Sequence, residues 1–117
     1  MWDALIHTII RPPKITYEPE SIGAELFTNK AGTRIRRIDR EVYHQSEKLD
    51  VSLFIPVDET NPNYTPPNLI LYCHCNASNK LECKQYVDYL PINYAIAGFD
   101  FLGCGNSKDM YISLGCR

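Results

Sequence analysis

The stretch LILYCHCNASNKLECKQY, residues 69–86, decides the fold class. It opens inside a nearly continuous apolar run from Asn68 to Cys73, which is typical of a strand buried on both faces in a parallel sheet. From Lys80 to Leu90, Leu81, Tyr86, Val87 and Leu90 recur near helical spacing, and Pro91 ends the pattern. The sequence therefore predicts a central parallel strand followed by a helix.

A second apolar run extends from Tyr94 to Phe101 and is followed by a Gly103-Cys104-Gly105 turn. A strand, a helix and a second strand within about 34 residues predict a βαβ unit, which we place at residues 68–107. Because such crossovers are right-handed and join parallel strands, the two apolar runs should lie parallel in one sheet.

The residues before this unit alternate between apolar and polar side chains. Thr33–Tyr43 and Leu49–Val57 each show this pattern, which predicts an antiparallel hairpin at residues 33–57 with its turn near residues 45–48. Residues 58–68 contain three prolines among polar residues and predict a loop.

Residues 1–32 are predicted to form an N-terminal helix and an irregular wrap. The helix has one apolar stripe and ends before Pro12; the stripe consists of Trp2, Leu5, Ile6, Ile9 and Ile10. Residues 14–31 show no sustained period. With the hairpin and the βαβ unit, this segment predicts one α/β domain over residues 1–117.

The net charge, the length of the apolar runs and the cysteine content limit the classes of function that fit this sequence. The 117 residues include 12 Lys and Arg against 14 Asp and Glu, and a net charge of −2 disfavours nucleic acid as a partner. The sequence lacks the roughly 20 apolar residues of a membrane span and the pattern of a signal peptide, so we expect a cytoplasmic protein. Five cysteines at irregular spacing favour reduced thiols over a disulfide framework.

Four short motifs resemble the α/β-hydrolase superfamily, in its serine aminopeptidase-like and esterase-like branch. They are YCHCNAS at residues 72–78, FDFLGCGNS at 99–107, YISLG at 111–115 and IIRPP at 9–13. Members of this branch carry a strand ending in His-Gly-Asn, then a helix and a second strand ending in Asp-Phe-x-Gly-x-Gly-x-Ser, then Tyr-x-Ser-Leu-Gly. The resemblance implies that this chain is the leading part of such a sheet.

The resemblance also implies an oxyanion-hole loop, in which backbone N–H groups stabilise a developing negative oxygen. The loop would consist of His74, Cys75, Asn76 and Ala77. His74 would be the structural histidine that ends the third strand, and the N–H of Asn76 a candidate oxyanion donor. The family has glycine where this chain has Cys75, so a side chain stands where a tight turn is expected.

A structural turn would follow the fourth strand at Asp100, Gly103 and Gly105. The family's nucleophile lies on a later Gly-x-Ser-x-Gly elbow, a pattern this sequence lacks, and Ser107 belongs to a glycine turn instead. The resemblance thus implies a fragment of an esterase, thioesterase or peptidase without catalytic residues, inactive alone. A full-length form would act on a small-molecule ester or peptide substrate and would need no metal or organic cofactor.

Three alternatives stay open from the residues alone. Cys73, His74, Cys75 and Cys83 could bind zinc, although a second matched pair of ligands is lacking. Cys75 could be a nucleophile activated by a nearby helix N-terminus. The chain could also be a non-catalytic interaction protein derived from a hydrolase.

The resemblance makes a further prediction about residues 69–73. In the family, the third strand lies between the fourth strand and the strand that leads to the nucleophile. Because this chain lacks the second neighbour, the strand should form an exposed, apolar, proline-free sheet edge. We therefore expect marginal stability and self-association through residues 69–73.

Overall fold

The computed structural model describes residues 17–75, 78–101 and 107. Their architecture is one mixed five-stranded sheet with little helix, in the strand order β1-β2-β3-β5-β4. The strands are β1 (Leu26–Thr28), β2 (Arg34–His44), β3 (Glu47–Pro56), β4 (Asn68–Cys73) and β5 (Tyr94–Phe99). This agrees with the predicted α/β class at a coarse level, with more strand than helix.

The predicted hairpin is confirmed. β2 and β3 pair antiparallel along their length, from Ile35 opposite Pro56 to His44 opposite Glu47. The two turn residues, Gln45 and Ser46, both have positive φ, at 50° and 68°. Left-handed conformations at both central positions suit the twist of a two-residue hairpin turn, so this turn fixes the register.

The predicted parallel pair is also confirmed. β4 and β5 run parallel, from Asn68 beside Tyr94 to Cys73 beside Phe99. The connection between them contains a 3₁₀ helix, Lys80–Cys83, and α1, Lys84–Val87, so the predicted helix from Lys80 to Leu90 is shorter than expected. β5 also pairs antiparallel with β3, which joins the hairpin and the parallel pair in one sheet.

The prediction from the apolar run, that β4 is a central strand buried on both faces, is wrong for the described residues. The exposed sheet edge predicted for residues 69–73 is confirmed within them. β4 lies at the end of the sheet, where Leu69 and Leu71 are each 63% exposed and Ile70 is 41% exposed. β5 takes the interior place, with residues 95–98 buried. The reason is topological: β5 inserts between β4 and the hairpin, leaving β4 one neighbour within the described chain.

The hydrophobic core covers one face of the sheet. Its buried members are Ile22, Ile35, Phe54, Cys83, Val87, Leu90 and Ile96. The crossover packs closely here, because a Cβ added at Gly98 would lie 2.8 Å from the Cys83 Sγ. Tyr86, one of the four apolar residues of the predicted helix, is 53% exposed, whereas Cys83, which does not belong to that pattern, is buried.

The predicted irregular wrap at residues 14–31 is partly wrong. It includes a 3₁₀ helix, Pro19–Ile22, and strand β1, both too short to show a period in the sequence. Just after β1, the buried Asn29 amide donates hydrogen bonds to the carbonyls of Val87 and Leu90, at 2.9 and 3.0 Å. Asn29 thereby satisfies carbonyls at the end of α1.

The predicted N-terminal helix lies outside the described residues. Within the part of the chain that the structure describes, no helix is both long enough and apolar enough to cross a membrane.

Candidate functional site

The carboxyl ends of the parallel pair bring His74 and Asp100 to the same edge of the sheet. Each residue directly follows the last paired position, Cys73 beside Phe99. In α/β sheets, ligands bind beyond these strand ends. The described residues therefore place two of the predicted site residues where a ligand site of this fold class is expected.

His74 links the two strand ends. Its Nε2 accepts a hydrogen bond from the Phe101 N–H at 3.1 Å, and its ring lies edge-on to the Phe101 ring, with centroids 4.6 Å apart. Its Nδ1 lies 2.8 Å from the Cys75 carbonyl oxygen. Because Nε2 accepts, the neutral ring carries its proton on Nδ1 and donates to that carbonyl. His74 is buried, so both ring nitrogens hold the backbone in place.

The Cys75 N–H is already occupied. It donates to the Glu82 Oε2 at 2.8 Å, and the Tyr72 hydroxyl donates to the same oxygen at 3.0 Å. The Cys75 N–H is the main cause of the lowered pKa of Glu82, so Glu82 is a carboxylate at neutral pH. Burial, and then the hydrogen bond to Glu82, raises the pKa of Tyr72 to about 12. Glu82 therefore occupies the Cys75 N–H of the predicted oxyanion-hole loop, whereas the predicted donor, the N–H of Asn76, lies outside the described residues.

Glu82 also acts on the Cys75 thiol. Its hydrogen bond and its negative charge raise the pKa of Cys75 above the ordinary value. The thiolate is the nucleophilic form of cysteine, so the exposed Cys75 is less reactive than a free thiol at neutral pH. Burial likewise raises the pKa of Cys83 to about 11. Neither environment favours a cysteine nucleophile.

Asp100 is the centre of a buried polar network. It is fully buried, and its two carboxyl oxygens accept hydrogen bonds from the Lys80 N–H and the Tyr17 hydroxyl, each at 2.7 Å. The Lys80 Nζ lies 2.6 Å from the Asp50 carboxylate, although the Lys80 side chain is only 4% exposed. Burial and then Asp100 raise the pKa of Tyr17, which keeps its donor proton. One network thus joins the crossover, β3 and the end of β5.

Ser107 completes this network through the backbone. Its hydroxyl accepts a hydrogen bond from the Asp50 N–H at 2.9 Å and donates one to the Asp100 carbonyl. The side chain is buried. The hydroxyl therefore holds two strand segments together, and its proton is directed at a carbonyl, which cannot act as a base.

Four of the predicted site residues, Asn76, Ala77, Gly103 and Gly105, lie outside the described residues. Sequence reasoning missed Glu82, Lys80, Asp50 and Tyr17. One signal was available for Lys80: a cation at the first position of a helical segment opposes the helix dipole, so it needs another reason to be there. The other three depend on contacts between distant parts of the chain.

No group of three or more His, Cys, Asp or Glu side chains in the described ranges could hold a metal ion. The zinc alternative therefore gains no support from Cys73, His74, Cys75 and Cys83. Comparisons with protein-family models, with curated proteins and with solved structures found no match. The function is therefore inferred from the site geometry and the sequence motifs.

Proposed function

We propose that this chain is the leading part of a serine hydrolase-like sheet, related to esterases, thioesterases or peptidases, and that it is inactive alone. The observation that carries the proposal is the parallel β4 and β5 pair, with His74 and Asp100 directly after the two strands. His74 lies within the resembled motif YCHCNAS, and Asp100 lies within FDFLGCGNS. In the described residues, the open side of β4 is also where the family has its nucleophile strand.

The inactivity follows from the state of the polar groups at the strand ends. Hydrolysis by a serine nucleophile needs a serine hydroxyl within hydrogen-bond reach of a base. It also needs free N–H groups that can stabilise the oxyanion. The Ser107 hydroxyl donates to a backbone carbonyl, and the Cys75 N–H donates to Glu82. Neither group is available to a substrate in this arrangement.

A second candidate is a non-catalytic interaction protein derived from a hydrolase. The observation that favours it is the exposed β4, whose Leu69 and Leu71 side chains are each 63% exposed. An apolar strand at a sheet edge is a ready site for pairing with another chain. This candidate function assumes the same fold as the first, but the exposed strand would bind a partner instead of belonging to a hydrolase.

Two measurements test the hydrolase proposal. The 117-residue chain should release no nitrophenol from short-chain nitrophenyl esters, and a fluorophosphonate probe should label no serine. Labelling above a heat-denatured control would contradict the proposed inactivity.

The second measurement uses any longer polypeptide that contains this chain. The probe should label a serine beyond residue 117, and Cys75→Gly should raise turnover, because one oxyanion donor contributes roughly 2.7–4 kcal/mol. Cys75→Ser in the 117-residue chain is the control and should remain inactive. A longer form without a labelled serine would overturn the kinship with serine hydrolases, and equal turnover of Cys75→Gly would mean that the cysteine is tolerated.

A further inference from the structure

β4 presents an open edge that lacks the usual protection against strand pairing. Exposed edges are normally protected by charges, proline, bulges or short length. β4 is six residues long and contains neither proline nor a charged residue. Its side chains are exposed on both faces of the sheet, as Leu69, Ile70 and Leu71 show. Within the described residues it pairs with β5 alone.

The surroundings of β4 are also free of charge. Glu59 and Lys80 are consecutive charged residues, so the 20 residues from 60 to 79 include no Asp, Glu, Lys or Arg. This is the longest uncharged run in the sequence, which carries 26 charged residues in total, 12 basic and 14 acidic. A second copy of this chain can therefore approach β4 without like-charge repulsion at the contact.

The opposite edge of the sheet is different. β1 is only three residues long and lies between Glu25 and Lys30. Past β1, the outer edge of β2 carries Arg40 and Glu41, both exposed. Within the part of the chain that the structure describes, each copy thus has one edge suited to pairing. Joining two such edges leaves none for a third copy, so the assembly closes as a dimer.

We propose that a second copy of this chain pairs with β4, antiparallel and related by a two-fold axis. In a continuous sheet, directly paired residues share a face, so the axis passes midway between the two copies of the same residue. Leu71 is the middle residue of the uncharged segment 69–73 of β4, in which every residue except the half-buried Tyr72 is exposed. It therefore faces Leu71 of the second copy, and Leu69 faces Cys73 of the second copy. This dimer does not depend on kinship with hydrolases.

Sedimentation velocity of the 117-residue chain under reducing conditions tests the proposal. Between about 1 and 200 µM, a range that brackets micromolar affinity, the dimer fraction of the wild type should rise. Leu71→Lys should weaken the dimer by about tenfold or more, because two lysines would face each other across the axis. Leu26→Lys, at an exposed position of β1, is the matched control and should leave the dimer unchanged.

A wild type that stays monomeric over this range would overturn the proposal. Equal weakening by Leu26→Lys would also overturn it, because the pairing edge would then not be β4.

A covalent test does not depend on how the lysine variants fold. In the proposed register, Leu69→Cys places the introduced thiol opposite Cys73 of the second copy, and mild oxidation should give a dimer with this bond, located by mass spectrometry. Leu69→Ser is the control and should give no bond at these positions. A bond pattern that never joins positions 69 and 73 of two copies would contradict the antiparallel register.

Discussion

The two ends of the sheet differ in how they are completed. β2 has a neighbour on each side at Ile35 and Arg36, and β3 has one on each side over Val51–Phe54. β4 pairs with β5 alone in the described residues and exposes its leucines. The hairpin is specified by local sequence signals, namely the alternation of apolar and polar residues and a two-residue turn. A parallel strand needs neighbours that are distant in sequence, and β4 has one such neighbour, β5, within the described residues.

The largest expected effect on stability comes from removing an ion pair. The buried pair beside the parallel strands should contribute more than the exposed pair on the hairpin. Lys80→Ala should lower the free energy of unfolding by about 3–5 kcal/mol, because it leaves the largely buried Asp50 carboxylate without its cation. Lys48→Ala removes the exposed pair with Glu41 on the hairpin and should cost less than about 1 kcal/mol. Urea denaturation of both variants gives the comparison.

Lys80→Met separates charge from packing, since it keeps most of the side-chain volume. It should lose nearly as much stability as Lys80→Ala. If Lys80→Ala and Lys48→Ala had the same small effect, the buried network would not hold the parallel pair to the hairpin.

The sequence predicted the elements that local pattern specifies. The hairpin followed from alternation, and the parallel pair followed from two apolar runs separated by helical spacing. β1 was missed because three residues show no period. The apolar run alone predicted the burial of β4 wrongly, because it indicates which residues can be buried, whereas the available neighbours decide which are. The exposed edge was predicted only by comparison with the strand order of the resembled family.

The candidate site was less accessible to sequence reasoning. Its position followed from the strand ends at His74 and Asp100. Glu82 lies seven residues after Cys75, and only the folded crossover brings its carboxylate to the Cys75 N–H. Tyr17 and Asp100 are separated by 83 residues, and nothing in the sequence pairs them.

The second largest expected effect on stability concerns the close packing of the crossover on β5. Gly98→Ala should destabilise the fold by about 1–3 kcal/mol, because the new Cβ would lie 2.8 Å from the Cys83 Sγ. The added cost should shrink when Cys83→Ala is present, since the clashing sulfur is gone. Thermal or urea unfolding of the two single variants and the double variant measures this coupling. Additive effects would show that the sulfur contact does not decide the packing.

Substitution of Glu82 should have the smallest effect on stability, but it should change the reactivity of the Cys75 thiol measurably. Glu82→Gln removes the negative charge that raises the pKa of Cys75, so that pKa should fall towards its ordinary value. At pH 8 more thiolate is then present, and iodoacetamide should alkylate Cys75 faster by a factor of a few. Rates are compared with those of Cys75 in the urea-unfolded chain.

The difference between the wild type and Glu82→Gln should close at pH values well above both thiol pKa values, where Cys75 is fully ionised in each. An unchanged alkylation rate at pH 8 would mean that the carboxylate does not hold the Cys75 loop in solution.

Amide hydrogen exchange at two protein concentrations tests most directly whether the open edge of β4 is completed by a second copy. Peptides from residues 34–56 should be protected equally at both concentrations, because β2 and β3 pair with each other within one chain and the charged outer edge of β2 does not pair with a second copy. Peptides covering residues 68–73 should gain protection as concentration rises, as amides not bonded to β5 find a partner, and Leu71→Lys should abolish this gain. Full protection of residues 68–73 at the lowest concentration, or a gain at residues 26–28 instead, would contradict the account.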